Sequence, residues 1–380
     1  PTQAPFTVNN GNGLDPTVEP SQIGSSTSPN FDLNLISKDF KLPQVVRFNL
    51  AADKKLPGNI NLTIETILSR TLNNILYQDI NLTDPVGVVD PTYNNGFDTR
   101  IAYASSSAAR RRFANLNNAI LISNTNRGYS FNAGFTLNKT WDNFFGQISY
   151  NFNSAADINS GLSSTALSNW EYVQVVGNPN NPPLATSAHE LKHRFMGVAS
   201  YNISYAKYFK STISFIYVGS SGQPFTYLVD GDLNSDGRFG NDLMYVPADA
   251  SQIKFIDRLS GSGAVIATAA EQQAAFFNFI NNDKYLSSRK GNYTERNGSV
   301  TPWQHVIDMR FAQDFYTTIN GKKHDLQLTI DIFNFTNLLN KKWGRQYYVS
   351  NQAYTLLTAV NRTSGPNAGK GYNYTPRTPW

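Results

Sequence analysis

Apolar residues recur at every second position in paired runs, and the two runs of each pair are joined by only a few residues. In VVRFNLAADKKL (Val45–Leu56), Val46, Phe48, Leu50 and Ala52 share one side. After the turn Pro57-Gly58-Asn59, INLTIETIL repeats the pattern through Ile60, Leu62 and Ile64. GYSFNAGFTLN is likewise followed by FFGQISYNF, HRFMGVASYNISY by FKSTISFIY, and HVIDMRFAQDFY by HDLQLTIDIFNF. A period of two puts alternate side chains on opposite faces of a strand, so the chain reads as antiparallel hairpins. Between the hairpins lie long polar stretches: one up to about Asn118, one from Asn153 to about Ala188, and the longest at residues 218–302.

Short and long connections therefore alternate. A soluble sandwich turns about every 8–12 residues and lacks this asymmetry. A transmembrane β-barrel has it, with short periplasmic turns and long extracellular loops. Charged residues make up 16 % of the 380-residue chain and aromatics 13 %, against roughly 25 % charged in ordinary soluble domains. No apolar run reaches the ~18 residues of a transmembrane helix, which excludes helical spans and leaves strands. Phe131, Phe135, Ile148, Tyr150, Phe195, Tyr201, Ile213, Phe215, Ile307, Met309, Leu328 and Ile330 are assigned to lipid. Gln147, Ser149, Asp308, Arg310, Gln327, Thr329 and Asp331 are assigned to the lumen. Unpaired backbone is too costly in hydrocarbon for such a sheet to stay open.

The expected fold is all-β, one antiparallel outer-membrane barrel domain over residues 1–380, with an irregular segment at residues 1–30. One short helix is expected in the longest loop, from ATAAEQQAAFFNFINN (Ala267–Asn282). About nine strands are counted, the last beginning in WGRQYYVSNQAYTLLTAVN, whereas bacterial single-chain barrels have an even number. The final residues TPRTPW do not alternate and read as the entry to a closing strand, so the sequence is expected to be part of a larger barrel.

DGDLNSDGRFGNDL (Asp230–Leu243) contains D-x-N-x-D-G, the opening of a calcium loop. Asp230, Asp232, Asn234, Asp236 and Asp242 would supply oxygens to Ca2+, although the last acid falls one residue before its usual place. The other reading is a metal-free loop of Asx turns. HELKH (His189–His193) has the zincin spacing, but it runs into a strand, where residues four apart are roughly 13 Å apart at ~3.3 Å per residue. No nucleophile, base and orienter are spaced recognisably, so no enzyme is expected. Trp170, Trp303 and Trp343, near strand ends, are assigned to a membrane-interface belt. ARRRF (Ala109–Phe113) is the densest basic cluster of a chain with net charge +5, and reads as a solvated loop tip rather than a nucleic-acid site. There is no cysteine.

Several segments together carry a family resemblance: FKLPQVVRFNLAADKKLP, INLTDPVG, LISNTNRGYSFN, LSNWEYVQVVGNPNNP, GSSGQPFTYLVDGDLNSDGRFGNDLMYVP, SSRKGNYTERNGSVTPWQHVIDMRFAQDF and DIFNFTNLLNKKWGRQYYV. In this order they resemble the C-terminal part of a TonB-dependent outer-membrane receptor, of the Bacteroidetes type with a carboxypeptidase-regulatory-like domain. The resemblance implies a 22-stranded barrel with a plugged lumen in the outer membrane of a Gram-negative cell. It also implies energy-coupled uptake of a scarce ligand, with the TonB complex reached through a plug region that this sequence does not contain. Outer-membrane lipid and a surface lipoprotein or other envelope protein are the further expected partners. The alternative reading is a barrel that anchors or partners a larger envelope or secretion complex.

Overall fold

The computed structural model describes residues 31–364 and 368–376, with the backbone of Val8–Asn9 and Gly13–Leu14. Apart from those two short pieces, the irregular segment expected at residues 1–30 lies outside the described residues, as do the last four residues of the expected closing entry. The strands are β1 (Phe31–Ile36), β2 (Gln44–Leu56), β3 (Ile60–Asp79), β4 (Leu116–Thr125), β5 (Tyr129–Thr140), β6 (Phe144–Asp157), β7 (His193–Tyr205), β8 (Phe209–Ser220), β9 (Pro224–Asp230), β10 (Gln304–Ile319), β11 (Lys322–Ile332), β12 (Ala353–Arg362) and β13 (Gly369–Tyr374), besides two- and three-residue pieces in the loops. The helices are α1 (Ala166–Glu171), α2 (Ala269–Asn282), α3 (Lys284–Ser288) and α4 (Phe335–Leu339).

An eleven-stranded sheet forms the wall. β4 and β5 behave in it as one strand. Asp79 pairs with Ile120 and Asn74 with Thr125, while Arg70 pairs with Tyr129 in unbroken register. The interruption is Asn126-Arg127-Gly128, where Thr71 N donates to Gly128 O at 3.1 Å. Gly128 has φ +146°, and a Cβ there would meet Thr71 Oγ1 at 2.6 Å. With β1 and a two-residue strand set aside as flanking pieces, eight strands follow one another: β2, β3, β4/β5, β6, β7, β8, β10 and β11. LNNAILISNT, of which only Leu116–Asn118 falls in the expected polar stretch and which is not among the expected strands, is strand β4. The ninth strand expected after Trp343 belongs elsewhere, because β12 pairs in parallel with β9 outside the wall. Among the described residues β2 and β11 each keep one edge without a strand partner.

The register places side chains as the alternation requires. Ile64, Phe135, Tyr150 and Phe195 stand directly opposite one another along one rung, and Tyr201, Ile213, Phe311 and Ile330 along another. All twelve residues assigned to lipid fall on this face. On the opposite face, register partners bond one another: Thr136 with Ser149 at 2.9 Å, Ser200 with Ser214 at 2.9 Å, and Asn202 with Thr212 at 2.8 Å. Arg310 grips Asp331 with two bonds of 2.6 and 3.0 Å. One face is thus apolar and the other a hydrogen-bonded lattice.

The core lies above the wall. The long connections pack into a dome around Phe225, Tyr227, Met244, Val246, Phe276, Ile280, Leu286 and Leu356, all at most 2 % exposed. Each such side chain contributes roughly 1.5–3 kcal/mol by leaving water, so these loops form an ordered layer. α2 matches its expectation: Thr268 caps it reciprocally with Glu271. Its Phe276 and Ile280 are fully buried, while Leu326, at 67 % exposure on the wall, is open. A wide apolar surface of that kind is not stable in water.

Candidate functional site

Two features of the dome combine polar chemistry with burial. The first is the loop Asp230–Asp242. Its closing residues are bonded to a neighbouring connection: Leu243 N donates to Val175 O at 3.0 Å and Val175 N to Asn241 O at 2.9 Å. Tyr103 N donates to Asn234 O at 2.7 Å. At the base, Arg100 and Asp242 are fully buried and 3.0 Å apart. Arg100 Nε is 3.0 Å from both oxygens of Asp98, and Nη2 donates to Leu243 O at 2.7 Å. Tyr293 donates to Asp98 at 2.8 Å, and its ring faces the guanidinium at 5.4 Å.

Above this base the loop is two overlapping Asx turns. Asp236 N donates to Asn234 Oδ1 at 3.1 Å, and Arg238 N to Asp236 Oδ1 at 2.8 Å. Asp236 Oδ2 accepts from the amides of Asn234 and Asn241 at 3.1 and 2.9 Å. Asp232 Oδ2 accepts from Gly237 N at 2.9 Å, with Arg110 at 3.8 Å. Asp232, Asn234, Asp236 and Asp242 are therefore gathered in one place, while Asp230 is exposed.

A calcium ion takes six to eight oxygens. The buried side-chain oxygens without a protein partner in this loop are Asp232 Oδ1 and Asn241 Oδ1. Among the described residues no group of three or more His, Cys, Asp or Glu side chains is arranged to hold a metal. As folded, this donor set does not fit calcium. The positive charges in and around it are Arg100, Arg110 and Arg238.

Burial and the neighbouring Asp236 charge push Asp232 up to about 6. Burial lifts Asp242 to about 7 against the pull of Arg100, which divides its charge between two carboxylates. Burial opposes the Arg100 charge, but Asp98 and Asp242 outweigh it and hold its pKa above the ordinary range.

The second feature is a cavity of 510 Å³. Ser160, Asn169, Asn297 and Gln352 give it amides and a hydroxyl, and Tyr172 and Phe239 stand exposed at its margin. Residues from the connection after β6, the acidic loop, the segment before β10 and the segment before β12 all contribute. Arg296 anchors it to the outer end of β6 through Asp157 at 3.0 Å. Amides, hydroxyls and open aromatic rings suit a polar organic ligand.

Other residues singled out in the sequence sit apart. His193 begins β7 and its ring meets Tyr150 Oη at 2.9 Å, whereas His189 Nε2 bonds Ser160 O at 3.0 Å. Trp170 is 1 % exposed and packs with Leu82, Tyr103 and Ile120, so it is a dome core residue and not part of a belt. Trp303 and Trp343 are open. ARRRF is not merely solvated: Arg110 reaches the acidic loop, and Arg112 Nε donates to Leu82 O at 3.1 Å. The sequence reading missed Arg100, a single cation in a polar stretch with no local motif.

The profile of the outer membrane beta barrel domain family matches residues 1–362. The chain belongs to that family. Comparison with curated proteins and with solved structures gives no significant match. The apolar face of the wall suits contact with outer-membrane lipid, and the dome lies on the side of the long loops, which in barrels of this kind is the outer one. Among the described residues no helix is long and apolar enough to cross a membrane.

Aromatic rings mark both rims of the barrel, as interfacial girdles do. At the outer rim His193, Trp303 and His305 stack at 6.0 and 6.1 Å. At the short-turn rim Trp141 meets Phe144 at 5.2 Å, and Phe209 lies between Tyr205 and Phe315 at 5.7 and 5.6 Å.

The raised carboxyls give the dome a pH dependence of defined sign. The unfolded carboxyls release their protons near pH 3.8, whereas folded Asp232 and Asp242 hold theirs to about 6 and 7. Between those limits the folded state binds more protons, so stability falls as pH rises from about 4 to 7. Asp90, lowered to about 2 by Lys370, loses its contribution only below pH 3.8. Amide exchange of the dome in detergent is expected to be slower at pH 5 than at pH 7.5 after correction for intrinsic rates. The Asp242→Asn variant flattens that difference.

Proposed function

We propose that this barrel is the wall and ligand-gathering dome of a TonB-dependent receptor that takes up a polar organic ligand. The cavity of 510 Å³ carries the reading, because it draws amide, hydroxyl and aromatic groups from several long connections beside the outer end of β6. A lattice of serines, threonines and asparagines along the polar face offers the passing ligand hydrogen bonds, and the Arg310–Asp331 pair on the same face is internally neutralised. The free edges of β2 and β11 are completed by further strands, to 22 in the reading taken here, because open edges are untenable in lipid. A plug within the lumen would couple to the TonB complex. Transport of this kind involves no catalytic residue of the chain.

The test is depletion of a defined mixture of oligopeptides and oligosaccharides by cells expressing the full-length receptor, followed by mass spectrometry. Depletion of a subset is expected, abolished by a protonophore and reduced about tenfold by Tyr172→Ala with Phe239→Ala, with unchanged heat-modifiable migration of the barrel. Depletion that survives the protonophore would contradict energy-coupled uptake. Absence of any depletion, with a stable protein complex recovered instead, would favour an anchoring role.

A further inference from the structure

The lipid-facing surface of the wall is not uniform. On it Gly146 stands opposite Ala199, and Gly197 stands opposite Ile148 and Tyr217. These small residues leave a trough of 630 Å³ between Phe144, Ile148 and Phe215. From Phe144 to Ile148 it runs roughly 13 Å along the strand at ~3.3 Å per residue, a length that suits much of an acyl chain. A Cβ on Gly197 would touch Tyr217 only at ordinary contact distance, 3.7 Å, so the trough can be filled by substitution without disturbing the backbone.

Tyr217 and Ile307 are register partners on this face, and both line the trough and a second cleft of 280 Å³ towards the outer rim. That cleft is made by Trp303 and by the segment that follows β11. α4 packs back onto the apolar face, with Phe335 at 6.2 Å from Phe215. Asn334 and Asn337 then pin the next residues by donating to Gly344 O at 3.0 Å and Trp343 O at 2.9 Å. The pinned residues place Lys342 and Arg345 beside Trp303 and Trp343. The cleft has no acidic lining residue, and neither cation forms an ion pair among the described residues. Arg345 spends only its Nε, on Lys341 O at 3.0 Å.

An apolar trough that rises from the short-turn rim thus opens upward into an aromatic cleft with two unpaired cations, at the level where headgroups lie. We propose that this continuous surface holds one phosphorylated membrane lipid of the outer leaflet. Its acyl chain lies over Gly146 and Gly197, and its phosphate is bound by Lys342 and Arg345. The charge complementarity commits the site to an anionic headgroup, and the trough commits it to a lipid rather than to free phosphate. The site serves the barrel's place in the membrane and is independent of the ligand cavity in the dome.

The experiment uses the full-length protein in detergent micelles doped with lipid A or with an uncharged glycosyl diacylglycerol, and counts bound lipid by native mass spectrometry. Lipid A is expected to bind at least tenfold more tightly than the uncharged lipid. Lys342→Gln with Arg345→Gln should remove that preference, and Gly197→Leu should weaken lipid A binding while both variants keep heat-modifiable migration. Inorganic phosphate at the same concentration should not compete. Equal binding of the two lipids would overturn the proposal. So would lipid A binding unchanged in both variants, or full displacement by inorganic phosphate.

Discussion

Arg100→Met is expected to loosen the dome and leave the wall folded. The substitution removes the cation between two carboxylates whose side chains are fully buried. Breaking a buried pair by deleting one partner costs about 3–5 kcal/mol, because a charge is left without compensation. The loss also releases Leu243 O, which accepts from Arg100 at 2.7 Å beside the closing residues of the acidic loop. Tyr103 and Val175, bonded to the same loop, lose their support with it. Hydrogen exchange should accelerate in residues 98–104, 173–177 and 228–244, while β6, β7 and β8 keep their protection. The penalty should shrink at pH 5, where Asp242 can take up a proton. Adding Asp98→Asn and Asp242→Asn to Arg100→Met should recover much of the loss. Unchanged exchange in the single variant would mean that the apolar dome core alone fixes the loop.

A charge placed on the apolar face of the wall should be the other severe change. Ile213 and Thr212 are neighbours in β8, yet Ile213 lies in register with Tyr201 and Phe311 and Thr212 with Asn202 and Ala312. Arginine near the bilayer midplane on the lipid face costs about 2–4 kcal/mol, whereas a lumen position tolerates it. Ile213→Arg is therefore expected to lower the urea midpoint of the refolded barrel sharply and to reduce heat-modifiable species. Thr212→Arg should leave both nearly unchanged. Equal sensitivity at the two positions would mean that both faces are dry or both are wet.

The wall was legible because its determinants are local. Alternation needs only neighbouring residues, and Asn59 and Asn320, with positive φ of 59° and 49°, sit in short turns whose composition announces them. The dome was less legible because its determinants are distant in sequence. Asp242 meets Arg100 across 142 residues, and β12 finds β9 through parallel pairing that no turn signals. The acidic loop shows the same limit. Its spacing suits an ion, but the loop's own backbone N–H groups and amides occupy most of its oxygens, and Arg100, from a distant connection, takes Asp242 Oδ1. Trp170 looked like an interfacial anchor because its burial depends on Leu82, Tyr103 and Ile120, none of them near it in sequence.

The absence of cysteine from these 380 residues, with any cysteine elsewhere in the full-length protein replaced by serine, allows the wall to be read one residue at a time. Single cysteines at positions 212–217 of the full-length protein in bilayers can each carry a fluorophore, challenged with a lipid-soluble and a water-soluble quencher. Labels at Ile213, Phe215 and Tyr217 should be quenched from lipid, and those at Thr212, Ser214 and Ile216 from water. Quenching without that alternation, or with its phase reversed, would contradict a wall that separates lipid from an aqueous lumen.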